Sequence, residues 1–359
     1  MRKAIQVMAI ASTLAVTVAA CGSSTKSGSA SGKGGKIGVI LPDSKSSARW
    51  ETADRKFLSD AITAAGFTVD IQNAEGDKTK FATIADSMIA EKVKVLMIVD
   101  LDSDSGATVL QKAKKAGIKT VDYDRLTLGG GADVYVSFDN VAVGKLQGTG
   151  LVKCLADAKV TNPKIIELNG SPTDNNATLF KQGYDSVLQP QYDSKAFTKV
   201  GDQSVPDWDN VKGGTIFEQL LATAGGKIDG VLAANDGLGG AAIAVLKKNK
   251  LQVPVTGQDA TVDGLRNILT GDQCMTVYKA VKTEAAAAAA AAVALAQGAK
   301  APTTGTVKDS KLNVDVPSVL ATPVAIYKAN VKDVITDGYV TKADVCKDLD
   351  KECTAAGIA

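Results

Sequence analysis

From Lys36 onward, short apolar runs alternate with longer segments in which apolar residues recur every three or four positions. KIGVIL, FTVDIQ, VKVLMIV, KTVDY and VYVSF read as strands, and the segments near 50–65, 79–91, 105–116 and 141–156 read as helices. In the first of these helices Phe57, Leu58, Ala61, Ile62 and Ala65 share one face, and Gly66 supplies the stop. The pattern breaks at Thr161-Asn162-Pro163 and restarts with KIIEL, FTKVG, IDGVLAA, VPVTG and CMTVY. Strand and helix in alternation predict a parallel sheet covered on both faces. Two such series predict two similar α/β domains, with a cleft between facing strand ends. The alanine run Ala285–Ala292 reads as a helix whose small side chains let it approach a sheet closely. Only 13 uncharged residues run from Ala285 to Gln297, fewer than the roughly 20 needed to cross a bilayer.

Polar residues cluster where the apolar runs end. LPDSKSSARW follows the first strand, DYDR ends the fourth, SPTDNN follows IIEL, and AAND, GQDA and TVYK end later ones. In open α/β sheets ligands bind outside the carboxyl ends of the strands, so clusters far apart in sequence can converge on one pocket.

Composition narrows the chemistry. With no histidine, Ser-His-Asp and Cys-His catalysis and His-containing zinc sites are excluded, and no metal or cofactor is expected. Lys plus Arg number 41 and Asp plus Glu 39, without basic blocks, so the chain carries no electrostatic footprint for nucleic acid. Gly237-Leu238-Gly239-Gly240-Ala241-Ala242 matches a dinucleotide fingerprint, but it follows the third strand of its series and Asp236 would set a negative charge beside a pyrophosphate.

Residues 1–20 read as a signal peptide: Arg2 and Lys3 precede an apolar stretch from Ala4 to Ala20. Val18-Ala19-Ala20-Cys21 resembles a bacterial lipobox, in which Cys21 is lipidated and becomes the mature N-terminus. The Gly- and Ser-rich stretch that follows reads as a flexible tether, holding the folded body outside the cell membrane. In that setting Cys154, Cys274, Cys346 and Cys353 are disulfide candidates with three possible pairings, and Cys346 with Cys353 is the first choice for a local bridge.

The clusters have a consistent chemistry. Arg49 and Arg125 can each donate paired hydrogen bonds to neighbouring oxygens, and a carboxylate such as Asp124 can accept two. Asn176, Asn235 and Asp259 add groups that donate or accept, and Lys279 adds a cation. Such a mixture suits hydroxyl groups, which do both, better than an anion. Both tryptophans, Trp50 and Trp208, lie in these segments and offer flat rings for the apolar face of a sugar.

SSARW, DYDR, SFDN with VGKLQ, GSPTDNN, ND, TGQDA, MTVYK and VPSVLATPVAI, taken in order, resemble the monosaccharide-binding proteins of ABC sugar importers, and most of all the xylose-binding and multi-sugar-binding members. The resemblance implies two Rossmann-like domains with parallel sheets, joined by three hinge strands and closing on a monosaccharide. One lobe would comprise 36–158 with about 281–312, the other 159–280 with about 313–345, after a leader (1–20) and tether (21–35) and before a tail (346–359). It implies sugar contacts from Arg49, Trp50, Asp124, Arg125, Asn176, Trp208, Asn235, Asp259 and Lys279, and an ABC permease with its ATPase as partners of a monomeric binding protein that is not an enzyme. A sensor presenting its sugar to a membrane receptor is the alternative. Ser204 stands where xylose-binding members tend to carry another Trp, and SSARW is closer to the multi-sugar members.

Overall fold

The computed structural model describes residues 34–358, so the leader, Cys21 and most of the tether lie outside the described residues. Strands β1 (Lys36–Leu41), β2 (Thr68–Asn73), β3 (Val95–Ile98), β4 (Lys119–Tyr123) and β5 (Val134–Phe138) lie parallel in the order β5-β4-β3-β1-β2. Their crossovers are α1 (Arg55–Ala64), which continues from a π-helical turn at Trp50–Asp54, α2 (Lys78–Ala90) and α3 (Ser103–Lys115). β3 and β5 are buried at every position, as strands covered on both faces must be.

After α4 (Asn140–Asp157) a second sheet forms, with β6 (Lys164–Asn169) central between β7 (Thr198–Ser204) and β8 (Gly230–Ala233). Helices α5 (Asn175–Asp193), α6 (Asn210–Thr223), α7 (Asp236–Lys248) and α8 (Val262–Thr270) accompany it. VPVTG, expected as a full strand, makes a single bridge, Val255 to Val231, and Gln258 bridges to Val277 of β9 (Thr276–Tyr278). The chain then runs through α9 (Val281–Ala296), β10 (Gly305–Asp309), β11 (Val314–Ala321) and β12 (Val324–Ile326).

Packing shows where each piece belongs. The first core joins Ile37, Val39, Val95, Met97, Val121 and Val136 to Ala288 and Ala292 of α9, whose methyl-sized side chains let the helix lie close on the sheet. The second joins Ile165, Ile166, Val231 and Leu232 to Val143, Leu151 and Leu155 of α4. Helix α4, expected in the first lobe, therefore packs in the second. The crossing comes directly after Phe138, because Asp139 caps α4 at once, its carboxylate accepting from Ala142 N at 2.9 Å. An added Cβ at Gly148 of α4 would lie 3.1 Å from the Tyr184 backbone of α5, and the disulfide Cys154–Cys274 ties α4 to the segment before β9.

A second boundary also moves. β11, expected with the second lobe, pairs with β5 in the first sheet over Ser318–Ala321, and β10 pairs with β11. Only β12, antiparallel to β9, returns to the second lobe. Three connections thus join the lobes, after Phe138, at Lys279-Ala280 and at Thr322-Pro323. Beyond β12 the chain carries α10 (Val331–Thr336), α11 (Lys342–Cys346) and α12 (Asp350–Ala355); Val345, and from the expected tail Cys353 and Ile358, are buried against Leu265 and Ile268 of α8. Cys346 and Cys353 are bonded to each other, and Arg266 Nη1 donates to Lys347 O at 2.6 Å.

Candidate functional site

The strand ends of both sheets meet across a cavity. All nine residues singled out from the sequence line it: Arg49, Trp50, Asp124 and Arg125 from the first lobe, Asn176, Trp208, Asn235 and Asp259 from the second, and Lys279 from a connection. Ser46, Ser47, Asp174, Phe180 and Gln258 complete the wall. Four of these lie in segments already marked by their neighbours. Phe180 is one helical turn beyond Asn176 and could have been found from that spacing.

Local backbone aims several of these side chains. Asp124, Trp208 and Asp259 all adopt positive φ (63°, 55° and 96°), which turns the chain sharply at a strand end or loop. Asp124 N donates to Val136 O at 2.8 Å, so the strained residue stays tied to the sheet while its carboxylate leaves it. Asp174 and Asn235 are helix caps as well as wall residues: Asp174 accepts from Asn176 N at 2.8 Å and Asn235 from Leu238 N at 2.8 Å.

Arg49 is 1 % exposed and surrounded by carboxylates. Its Nε and Nη2 donate to Asp54 at 2.8 and 2.7 Å, Nη2 also to Glu284 at 2.6 Å, and Nη1 to Asp124 at 2.9 Å. Most of its five donors are thereby spent on protein, and its main effect is to fix Asp124. Burial pushes the Asp124 carboxyl up, but Lys279, Arg49 and Arg125 outweigh that and hold it below the usual carboxylate range. Glu284 goes the other way: burial, helped by Asp124 and Asp54, drives its carboxyl well up against the pull of Arg49 and Lys279.

Hydrogen bonds also cross the cleft. Ser47 Oγ donates to Asp259 Oδ2 at 2.9 Å, Asn235 Nδ2 to Ser46 O at 3.1 Å, and Asn176 Nδ2 to Asp124 O at 2.9 Å. Arg125 Nε lies 3.1 Å from Asp174 Oδ2, and Lys279 Nζ lies 3.2 Å from Asp259 Oδ1 and 3.7 Å from Asp124 Oδ2. Trp50 is both a core residue and a wall: 3 % exposed, its Nε1 donates to Ser46 Oγ at 3.0 Å and the Arg49 guanidinium lies 4.6 Å from its ring centre. Trp208 Nε1 donates to Asp174 Oδ2 at 3.0 Å, and its ring meets Phe180 edge-on. Buried Gln258 Oε1 accepts no hydrogen bond from the protein, and Asp259 Oδ1 has only its ion pair with Lys279. The wall thus presents cations, carboxylates, amides and flat rings together, which is the donor and acceptor mixture that a small polyhydroxylated molecule can satisfy.

Among the described residues, no group of three or more Cys, Asp or Glu side chains is arranged to hold a metal ion. Gly237–Ala242 form the first turns of α7.

Residues 37–300 match the periplasmic binding protein domain. The chain is 37 % identical over 313 residues to the D-xylose-binding periplasmic protein of Escherichia coli, covering 86 % of this chain and 92 % of that protein. It is 35 % identical over 331 residues to the multiple sugar-binding periplasmic receptor of Rhizobium radiobacter, covering 87 % and 92 %. Among solved structures, an ABC transporter solute-binding protein from Clostridium phytofermentans with bound β-D-glucose aligns with a TM-score of 0.79 at 29 % identity, over 86 % of this chain and 99 % of its own. A carbohydrate transporter solute-binding protein from Chloroflexus aurantiacus in complex with D-glucose aligns at 0.77 and 30 % identity, over 87 % and 97 %. With its fold, its inter-lobe cavity and these similarities over most of its length, the chain belongs to the periplasmic binding proteins, a family of binding proteins rather than enzymes.

Proposed function

We propose that this chain is an extracytoplasmic, lipid-anchored carrier that captures one monosaccharide and hands it, as a monomer, to the permease and ATPase of an ABC importer. D-xylose is the first candidate ligand, followed by aldoses such as glucose, galactose or arabinose. The observation that carries this reading is the cavity itself. Its wall brings cations, carboxylates, amides and two indole rings from both lobes onto one point, the mixture that the hydroxyls and apolar faces of one sugar ring satisfy. Gln258 Oε1 is a buried acceptor without a protein partner that a ligand hydroxyl would satisfy, and Asp259 Oδ1, held only by the Lys279 ammonium, can accept from another. Contacts from both lobes would favour the closed arrangement, so ligand binding and lobe closure are coupled. Similarity to proteins named for D-xylose and for multiple sugars supports the ligand class. Calorimetric titration of the mature chain with a panel of pentoses and hexoses tests it. One site per chain with D-xylose among the tightest ligands is expected, and no binding of any aldose would overturn the reading.

The relative from Rhizobium radiobacter is named a receptor, which favours a second reading in which the loaded protein signals to a membrane receptor. Neighbouring genes for a permease and ATPase would support import; a sensor kinase gene in their place would support sensing.

A further inference from the structure

A second cavity, of about 230 Å³, adjoins the first. The two share three wall residues, Arg125, Asp174 and Trp208. Asp174 joins the other two: its Oδ2 lies 3.1 Å from Arg125 Nε and accepts from Trp208 Nε1 at 3.0 Å. Arg125 belongs to one lobe and the other two to its opposite, so the contact closes the passage between the chambers from both sides. All three are buried, at 6 %, 5 % and 5 % exposure, and each is held from behind. Arg125 Nη1 donates to Asp100 O at 2.8 Å, Asp174 Oδ1 caps α5, and the Trp208 ring lies against Phe180.

The outer chamber shares the charged groups of the inner one but not its amides or its second indole, and two of those charges are already paired, Lys78 with Asp102 and Asp207 with Lys212. Asp43, Glu75 and Asp207 offer carboxylates, Lys45 and Lys78 offer cations, and Thr173 offers a hydroxyl. That mixture again suits sugar hydroxyls. We propose that the Arg125–Asp174–Trp208 contact is a partition that limits the ligand to one sugar ring, and that the outer chamber would accept a second ring once the partition is opened. This makes Asp174 a specificity-determining residue, since its one carboxylate oxygen joins the other two. The proposal rests on the inner cavity being a monosaccharide site.

Two variants separate opening from misfolding. Asp174→Ser shortens the side chain yet keeps a good helix cap, and Asp174→Asn also keeps a cap while releasing Arg125. The mature wild-type chain and both variants would be titrated with D-xylose, D-glucose, xylobiose, cellobiose and maltose, with thermal melting as the check on folding. The wild type is expected to bind a monosaccharide and to exclude all three disaccharides. In Asp174→Ser, or in Asp174→Asn if the first does not fold, the ratio of disaccharide to monosaccharide affinity should rise at least tenfold. A folded variant that binds monosaccharides and still excludes every disaccharide overturns the partition, as does a wild type that binds a disaccharide as tightly as its monosaccharide. A wild type that binds none of the monosaccharides overturns the underlying site reading instead, and the partition falls with it.

Discussion

Replacing Gly170 by Ala probes the wall at Trp208 without touching any group that could contact a ligand. Gly170 follows the end of β6, and an added Cβ would fall 2.7 Å from Trp208 Cζ3 and closer still to Cζ2 and Cη2. Its backbone is not in the left-handed region, so alanine is barred by space alone. Ordinary contact begins near 3.4 Å, and the indole must therefore shift by roughly 1 Å. The ring has little freedom to do so, being 5 % exposed, bonded to Asp174 at 3.0 Å and packed on Phe180 with centroids 6.3 Å apart. Overpacking of this kind costs about 1–3 kcal/mol of stability, and a strained or lost indole hydrogen bond about 1 kcal/mol more. If displacement of the ring removes a comparable amount of ligand contact, sugar affinity falls roughly 10- to 100-fold. Calorimetry would give the affinity, and fluorescence would report the ring directly, because Trp50 and Trp208 are the only tryptophans in the chain. A folded Gly170→Ala protein with wild-type affinity and unchanged emission would refute Trp208 as a wall of the ligand site.

Arg125→Ala and Asp259→Ala should each remove charge-assisted hydrogen bonds and weaken sugar binding by about 1.5–3 kcal/mol; titrations showing neither folded variant affected would reject the proposed contacts. Cys21→Ala should leave an unlipidated precursor that keeps its apolar leader and incorporates no labelled fatty acid; a lipid-labelled mutant would refute the lipobox reading. Burial pushes the Asp122 carboxyl up to about 7, against the pull of its hydrogen bonds from Thr127. The native state then holds an extra proton between about pH 4 and 7, so this group's contribution to stability is full below pH 4 and is lost as pH rises through 7. Asp122→Asn should show a smaller fall in Tm between pH 5 and 8 than the wild type, and parallel Tm curves would contradict that assignment.

The local pattern carried much of the fold. Apolar runs such as KIGVIL and VKVLMIV contain β1 and β3 because strands buried on both faces leave no polar alternation, and the polar clusters at their ends all reach one cavity. Lobe membership was harder to read. The apolar face of α4 shows that Val143 and Leu151 are buried but not which sheet buries them, and the crossing at Asp139 looks like an ordinary helix cap. The conspicuous turn residues at 161–163 instead mark a loop within the second lobe. β11 was misplaced for the same reason, since nothing in VPSVLA names β5 as its partner. Glu284, beside an alanine run, looks like a solvated flank; only the folded chain brings it to Arg49 across 235 residues of sequence. Asp174 stood inside a marked cluster, yet its contacts with Arg125 and Trp208 depend on both lobes being in place.

The most direct test of the account is a crystal structure of the protein grown with saturating D-xylose, or with whichever aldose binds most tightly. The account predicts one sugar ring in the cavity between the lobes, against Trp50 and Trp208, with hydroxyls hydrogen-bonded to Arg125, Asn176, Asn235, Asp259 and Lys279 and satisfying Gln258 Oε1. A saturated complex with the sugar bound elsewhere on the molecule, and none of these side chains within hydrogen-bond distance of it, would contradict the account.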